Sequence, residues 1–254
     1  MNRSLTPQPP LPSGEGERAA HRRYGSILSR LLHFCLKRTA RHRYRSLRMG
    51  GGGFLFLLVP SFAQLTPVTD IESFRQRLAA ENRFTTIECD FTQYKHLTIM
   101  DEPLVSSGKF YYEQDDKVRL DYVKPSPYLI VLNGQKVKIA SDGNDHVYDM
   151  SSYRMVTVMK SMLSSCLLGN FSGAGRDYRM SVSEDRAVYV VEIEPRNKKI
   201  KQYVQKIEVT FDKKDLSVSQ LIVREPSGDY TRHVFAGKKF NAPLSGRLFG
   251  LQHN

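Results

Sequence analysis

The stretch Gly108 to Gly134 limits the possible folds more than any other. Lys109, Tyr111 and Glu113 alternate with Phe110 and Tyr112. A turn at Gln114–Lys117 follows, and the alternation resumes: Val118, Leu120 and Tyr122 on one side, Arg119 and Asp121 on the other. A period of two over two adjacent runs is that of half-buried antiparallel strands. The sheet they begin has one apolar face, and that face covers either a packed core or a ligand.

Charge is distributed unevenly. The chain of 254 residues has a net charge of +12. Residues 1–48 contain 11 of the 38 Lys and Arg and two acids, Glu15 and Glu17, which leaves +9 there and +3 on the rest. The basic pI therefore says nothing about nucleic acid binding by the folded part. Gln8 to Glu17 is Pro/Gly/Glu-rich, and Arg38 to Arg48 is a run of like charge that repels itself. Residues 1–48 are read as a basic low-complexity segment, disordered or outside the natural product. The competing readings are a long basic leader to an export signal, a start at Met49, and an arm for RNA or membrane. Residues 49–63 read as a signal peptide, with a short apolar run after Gly50–Gly53 and a small-x-small site at Ser61-Phe62-Ala63. That run is too short to span a bilayer, which takes about 20 residues. Residues 64–254 form the predicted domain, exported across the membrane. There an oxidising environment permits a Cys89–Cys166 bridge, and two buried thiols fit the pattern equally.

In the domain, Thr69 and Glu72 have capping-box spacing, and Ile71, Phe74 and Leu78 form a helical stripe that ends near Asn82. Ile87 to Tyr94 alternates as a strand, and His96 to Ser107 reads as a loop or an irregular hairpin around Pro103. Tyr128–Leu132 and Lys136–Ala140 form a hairpin about Asn133-Gly134, a type I′ signal. Met150 to Gly169 changes to helical spacing, with Met155, Met159, Met162, Leu163, Cys166 and Leu167 on one stripe and Gly169 as a left-handed end. That stripe suits either an ordinary core or a surface that repacks around varied partners. Strands are then predicted over 187–194, 203–211, 217–224 and 230–236, as a meander.

Motifs of catalysis and metal binding are lacking. The chain contains no G-x-S-x-G, P-loop, H-E-x-x-H or paired C-x-x-C. His96, His146 and His233 are scattered, and the acidic pairs fall in turns, where Asp is favoured for backbone reasons. No cofactor is expected, and the balance moves from an enzyme to a binding protein. A hydrolase with a dispersed site would need three converging polar groups.

The order of segments carries a resemblance. Phe91-Thr92-Gln93, Gly108-Lys109-Phe110-Tyr111-Tyr112, Val118-Arg119-Leu120-Asp121-Tyr122, Pro125-Ser126-Pro127 and Leu129-Ile130-Val131-Leu132-Asn133-Gly134 follow a helix, and a lid-like helix and a final meander come after them. This resembles LolA, the periplasmic outer-membrane lipoprotein carrier family, over residues 66–250. The resemblance implies a mainly β fold with some α: an incomplete antiparallel β-barrel of about eleven strands, its open mouth covered by helices. It also implies a non-enzymatic carrier that moves lipoproteins from inner to outer membrane. Its partners would be acylated lipoproteins, an inner-membrane ABC exporter and an outer-membrane acceptor. The pattern's Arg-Pro pair, whose arginine ties sheet to lid, is replaced here by Gln114-Asp115. Phase and resemblance together predict an acyl-chain cavity lined by Phe91, Phe110, Tyr112, Leu120, Tyr122, Leu129 and Val131 on the sheet. Met155, Met159, Met162 and Leu163 are predicted on the lid. Each buried methylene contributes ~0.8 kcal/mol, so about a dozen give roughly 10 kcal/mol. The alternative is an envelope module that senses lipids or lipoproteins through a protein partner.

Overall fold

The computed structural model describes residues 65–114, 117–141, 144–149, 165, 169–171 and 175–252. The strands are β1 (Thr66–Pro67), β2 (Thr86–His96), β3 (Leu104–Glu113), β4 (Lys117–Lys124), β5 (Tyr128–Asn133), β6 (Lys136–Ser141), β7 (Asn144–Asp149), β8 (Tyr178–Glu184), β9 (Val188–Pro195), β10 (Lys206–Asp212), β11 (Val218–Arg224) and β12 (Tyr230–Phe240). Helix α1 (Ile71–Glu81) follows β1, the single turn α2 (Lys198–Lys201) joins β9 to β10, and a 3₁₀ turn η1 (Gly246–Phe249) follows β12. The strands make one antiparallel sheet in the order β1-β8-β9-β10-β11-β12-β2-β3-β4-β5-β6-β7. β1 and β7 lie at its two ends. The fold is mainly β, an incomplete barrel, as the resemblance implies.

Among the described residues there are twelve strands where about eleven are expected, and two of them lack a clear signal in the sequence. β1 has only two residues. β7 carries Asn and two Asp, residues depleted in strands. β8 pairs with β9 in full register, and Tyr178, Met180 and Val182 alternate with Arg179, Ser181 and Ser183, a period of two that the sequence reading did not use. β3 begins at Leu104, so the loop before it is shorter than predicted.

Two termini differ by a residue from the sequence reading. Asp70 caps α1, its carboxylate accepting from the Ser73 amide at 2.9 Å. Glu72 instead takes Arg75 at 2.7 Å. Thr69 is not the cap because Asp, a stronger acceptor, stands one place nearer the first turn. In the β5–β6 hairpin Asn133 pairs with Lys136, so Gly134 and Gln135 form the loop. Gly134 has φ +56 and Gln135 is not left-handed, which is the pattern of a II′ turn and not of I′. Gly169 does adopt φ +67, and the Asn170 amide donates to Ser165 O at 3.0 Å, the closing bond of a Schellman helix end.

Cross-strand partners share a face, so the register fixes what faces inward. One row around the barrel is Val191, Val209, Leu221, His233, Gln93 and Ser106. The next is Phe235, Phe91, Gly108, Tyr122 and Tyr128. A third is Cys89, Phe110, Leu120, Ile130 and Ile139. Helix α1 covers this face at the β9 side, with Phe74 against Tyr189 at 5.0 Å between ring centroids. Leu78, on the same helix stripe, is fully buried.

The outer face of β4–β6 is covered by the C-terminal segment. Arg119, Asn133 and Lys138 donate to the carbonyls of Leu248, Phe249 and Gln252 at 2.7, 3.1 and 2.6 Å. Arg119 also holds Asp121 at 2.8 Å, and Lys138 holds Asp145 at 2.7 Å. Arg119 is thus tied to the chain's own tail.

Candidate functional site

The inner face of β2–β5 is the candidate site. Phe91, Phe110, Tyr112 and Tyr122 are buried on it, and Leu120 lies beside them. Leu129 and Val131 do not join them. Leu120 pairs with Ile130 and Tyr122 with Tyr128, so Leu129 and Val131 project from the outer face. Val131 lies there between Arg119 and Lys138, fully buried. A continuous apolar run such as Tyr128–Leu132 has no alternation to reveal its phase. Ile130 and Tyr128 are the inward residues. The predicted lid residues Met155, Met159, Met162 and Leu163 lie outside the described residues, as does Cys166. Cys89 is a free, buried thiol on the inner face.

The inward side chains form two zones. In the first, Phe91 meets Tyr122 edge-on at 4.9 Å, and Tyr122 stacks on Tyr128 at 3.9 Å. Polar groups finish this zone. Tyr122 donates its hydroxyl to Gln93 Oε1 at 2.7 Å, and His233 Nε2 lies 3.0 Å from the same oxygen. Further along β2, Lys95 is fully buried with Glu225 at 3.6 Å. The second zone is apolar. Phe110 packs on Phe235 at 5.6 Å, and Phe84 stacks on Phe240 at 4.1 Å. Together with Ile87 and Val218 they wall a pocket of about 320 Å³, a volume that includes space open to solvent. Cys89 lies in its wall, and Ser217 and Lys238 complete the lining. The cavity volume free to a water is only about 20 Å³, room for one or two waters.

Burial sets the ionisation of two groups. It pushes the Cys89 thiol up to about 12, so the group is an inert thiol at neutral pH. It pushes His233 down to about 4, so the ring is neutral at pH 7. Gln93 Oε1 accepts, so the neutral ring carries its proton on Nε2, and Nδ1 is buried without a partner. An ordinary histidine titrates at about 6.5. The unfolded chain therefore binds this proton first as pH falls, and stability drops from pH 6.5 toward pH 4. The loss reaches at most about 3 kcal/mol. Urea unfolding at pH 7 and pH 5 is expected to show a clear loss in the wild type and a flatter profile in His233→Gln. The carboxylates held low by hydrogen bonds, Asp185 and Asp229, act in a separate window below about pH 4.

The model of the family described as outer membrane lipoprotein carrier protein LolA matches residues 82–252. The chain belongs to the LolA family. The match takes in β2 to β12 and η1, which includes both zones of the site. Solved structures of related fold are similar to it. The complex structure of Pseudomonas aeruginosa MucA/MucB matches at 17% identity and TM-score 0.44, over 71% of this chain and 60% of that one. A LolA superfamily protein from Nitrosomonas europaea matches at 12% identity and TM-score 0.38, over 70% and 96%. The Mycobacterium tuberculosis lipoprotein LppX matches at 8% identity and TM-score 0.38, over 70% and 99%. No curated protein matches in sequence.

Among the residues that sequence reasoning missed on this LolA-type sheet are Gln93, Tyr128, Ile130, Val218, His233, Phe235 and Lys238. Val218 is hidden by a register shift, since it lies out of step with Leu221 and Val223 on the same face. Gln93 lies in phase with Ile87, Cys89 and Phe91, but its polarity argues against an inward position.

Proposed function

We propose that this LolA-family chain is a non-enzymatic periplasmic carrier of lipoprotein acyl chains. The inner face of β2–β5 would take the chains, with the segment of Met155, Met159, Met162 and Leu163 as its cover. Cargo would arrive from an inner-membrane ABC exporter and leave to an outer-membrane acceptor. The observation that carries this reading is the aromatic wall of Phe91, Phe110, Tyr122, Tyr128 and Phe235 inside an open sheet. Tightly packed interiors exclude ligands, but an open sheet can part from its cover. Release then requires a receiving cavity that binds the chains better.

The test is capture of cargo. Purified protein is incubated with membranes containing a triacylated lipoprotein, then measured by native mass spectrometry. A one-to-one soluble complex is expected. It should be lost in Phe110→Asp, which puts a charge in the wall, and kept in Leu129→Asp, on the outer face. Protein that stays empty and extracts no lipoprotein would overturn the reading. Recovery instead of one stoichiometric protein partner without lipid would place the chain in the sensing class.

A further inference from the structure

Exposed apolar side chains gather at one end of the sheet. Six large ones are exposed among the described residues, and four of these belong to the β2–β3 connection, the start of β3 and the end of β4: Ile99, Met100, Val105 and Val123. Ile99 is the extreme case at 88% exposed. Its turn is nevertheless held firmly. Asp229 Oδ1 accepts from the Thr98 amide at 2.8 Å and from the Thr98 hydroxyl at 3.1 Å. The Met100 amide donates to Leu97 O at 2.9 Å, and Leu97 is buried. Ile99 adds nothing to the chain's own core, yet the turn that presents it is anchored.

The same end carries unpaired cations. Neighbouring strands are antiparallel from β9 to β4, so the β9–β10, β11–β12 and β2–β3 connections and the end of β4 all lie at this end. The β9–β10 connection has Arg196, Lys198, Lys199 and Lys201, all exposed, and the exposed Lys124 follows Val123. None of the five forms an ion pair with a described residue. Most acids here are engaged: Glu225 with Lys95 at 3.6 Å, Asp177 with Arg176 at 3.1 Å, and Asp229 with Thr98. Asp101 and Glu102 are exposed and unpaired among the described residues, so five cations stand against two anions. β10 and β2 are three strand spacings apart, about 15 Å, so one flat surface can meet both connections.

We propose that this end docks on an anionic lipid bilayer, with Ile99 and Met100 entering the acyl boundary and the cations of the β9–β10 connection lying on lipid phosphates. Apolar side chains for the acyl boundary, with Lys and Arg for the anionic surface, are the chemistry of peripheral membrane binding. A projecting apex flanked by long, exposed cations needs no shaped receptor, and a bilayer offers none. A protein partner would need a hollow fitted to Ile99 and acids placed opposite a separate connection. Attraction between Lys or Arg and the surface is screened by salt and fades within a Debye length, so the contact is reversible. The inference goes beyond the acyl-chain reading and does not depend on it, because it concerns one end of the barrel wall and not the inner face.

The experiment uses tryptophan emission from the full chain, which has no tryptophan of its own. Ile99→Trp puts a single reporter at the apex, and Gln114→Trp puts one in the exposed β3–β4 turn at the opposite end. Each is mixed with vesicles of phosphatidylcholine, with and without phosphatidylglycerol. Emission from position 99 is expected to shift to the blue with the anionic vesicles, while emission from position 114 stays unchanged. Both proteins carry the same basic residues 1–48, so tethering by that segment cannot produce the difference. Adding Lys198→Gln and Lys199→Gln to Ile99→Trp should weaken vesicle affinity about ten-fold or more. A shift at both positions, a shift at neither, or an equal shift with phosphatidylcholine alone overturns the proposal. A shift at position 99 with solubilised membrane protein but not with vesicles assigns the apex to a protein partner, and overturns it too. Lipoprotein capture is a separate measurement. Its failure beside a vesicle-dependent shift overturns the carrier reading alone, and its success beside an unshifted apex overturns the docking alone.

Discussion

Gly108→Ala is expected to destabilise the protein by about 3 kcal/mol or more. A Cβ at this position would lie 1.8 Å from Asp121 O, 2.8 Å from Asp121 C and 2.9 Å from Tyr122 Cα. All three are main-chain atoms of β4, so no side chain can swing aside. β3 and β4 would have to separate where the register already shifts, between Ser107 and Gly108. The rings of Phe91 and Tyr122, which flank Gly108 on either side, meet at 4.9 Å and 79°. A methyl group there would disturb that contact too. Urea unfolding checks this against Gly246→Ala, where nothing lies within 4 Å of the added carbon and about 0.5 kcal/mol or less is expected. Equal effects from the two substitutions would contradict the β3–β4 pairing.

Phe91→Ala is expected to cost about 3–5 kcal/mol. The ring is 2% exposed and touches Tyr122 edge-on. Its loss opens a cavity in the middle of the sheet, where hydrogen-bonded neighbours cannot collapse into it. Tyr122→Phe tests the polar side of the same contact. It removes the hydroxyl from Gln93 Oε1, and about 0.5–1.5 kcal/mol should follow, because His233 Nε2 still donates to that oxygen. Both are read from denaturant midpoints at pH 7. If Phe91→Ala cost no more than a surface change, the inner face would not be packed as described.

The legibility of these features in the sequence depends on the local pattern around each. Phe110, Tyr112, Val118 and Tyr122 alternate with polar residues, so their shared face is plain from the alternation alone. Phase assigns Leu129 and Val131 to the wrong face because Tyr128–Leu132 is apolar at every position. Only the pairing of Leu120 with Ile130 resolves it. β7 is hidden for the opposite reason, since its residues are polar on both sides. Lys238 is hidden by the slip after Ala236, which inverts the phase beyond Gly237. The Asn133-Gly134 pair points to the right hairpin, but the ladder runs one residue further than a type I′ loop would allow. Asp70 and Thr69 both suit a helix cap, and composition does not choose between neighbours.

The tail that crosses the outer face has a further consequence. Arg119, Asn133 and Lys138 stand on three successive strands, and each grips a carbonyl oxygen. Carbonyls are common to all twenty amino acids. The sheet therefore recognises this segment by its spacing and direction, with Phe249, 1% exposed, as the side chain that sets the frame. Its wording is free to drift between Phe249 and Gln252, but its length is not. Inserting one residue after Phe249 should do more harm than replacing any two of its neighbours.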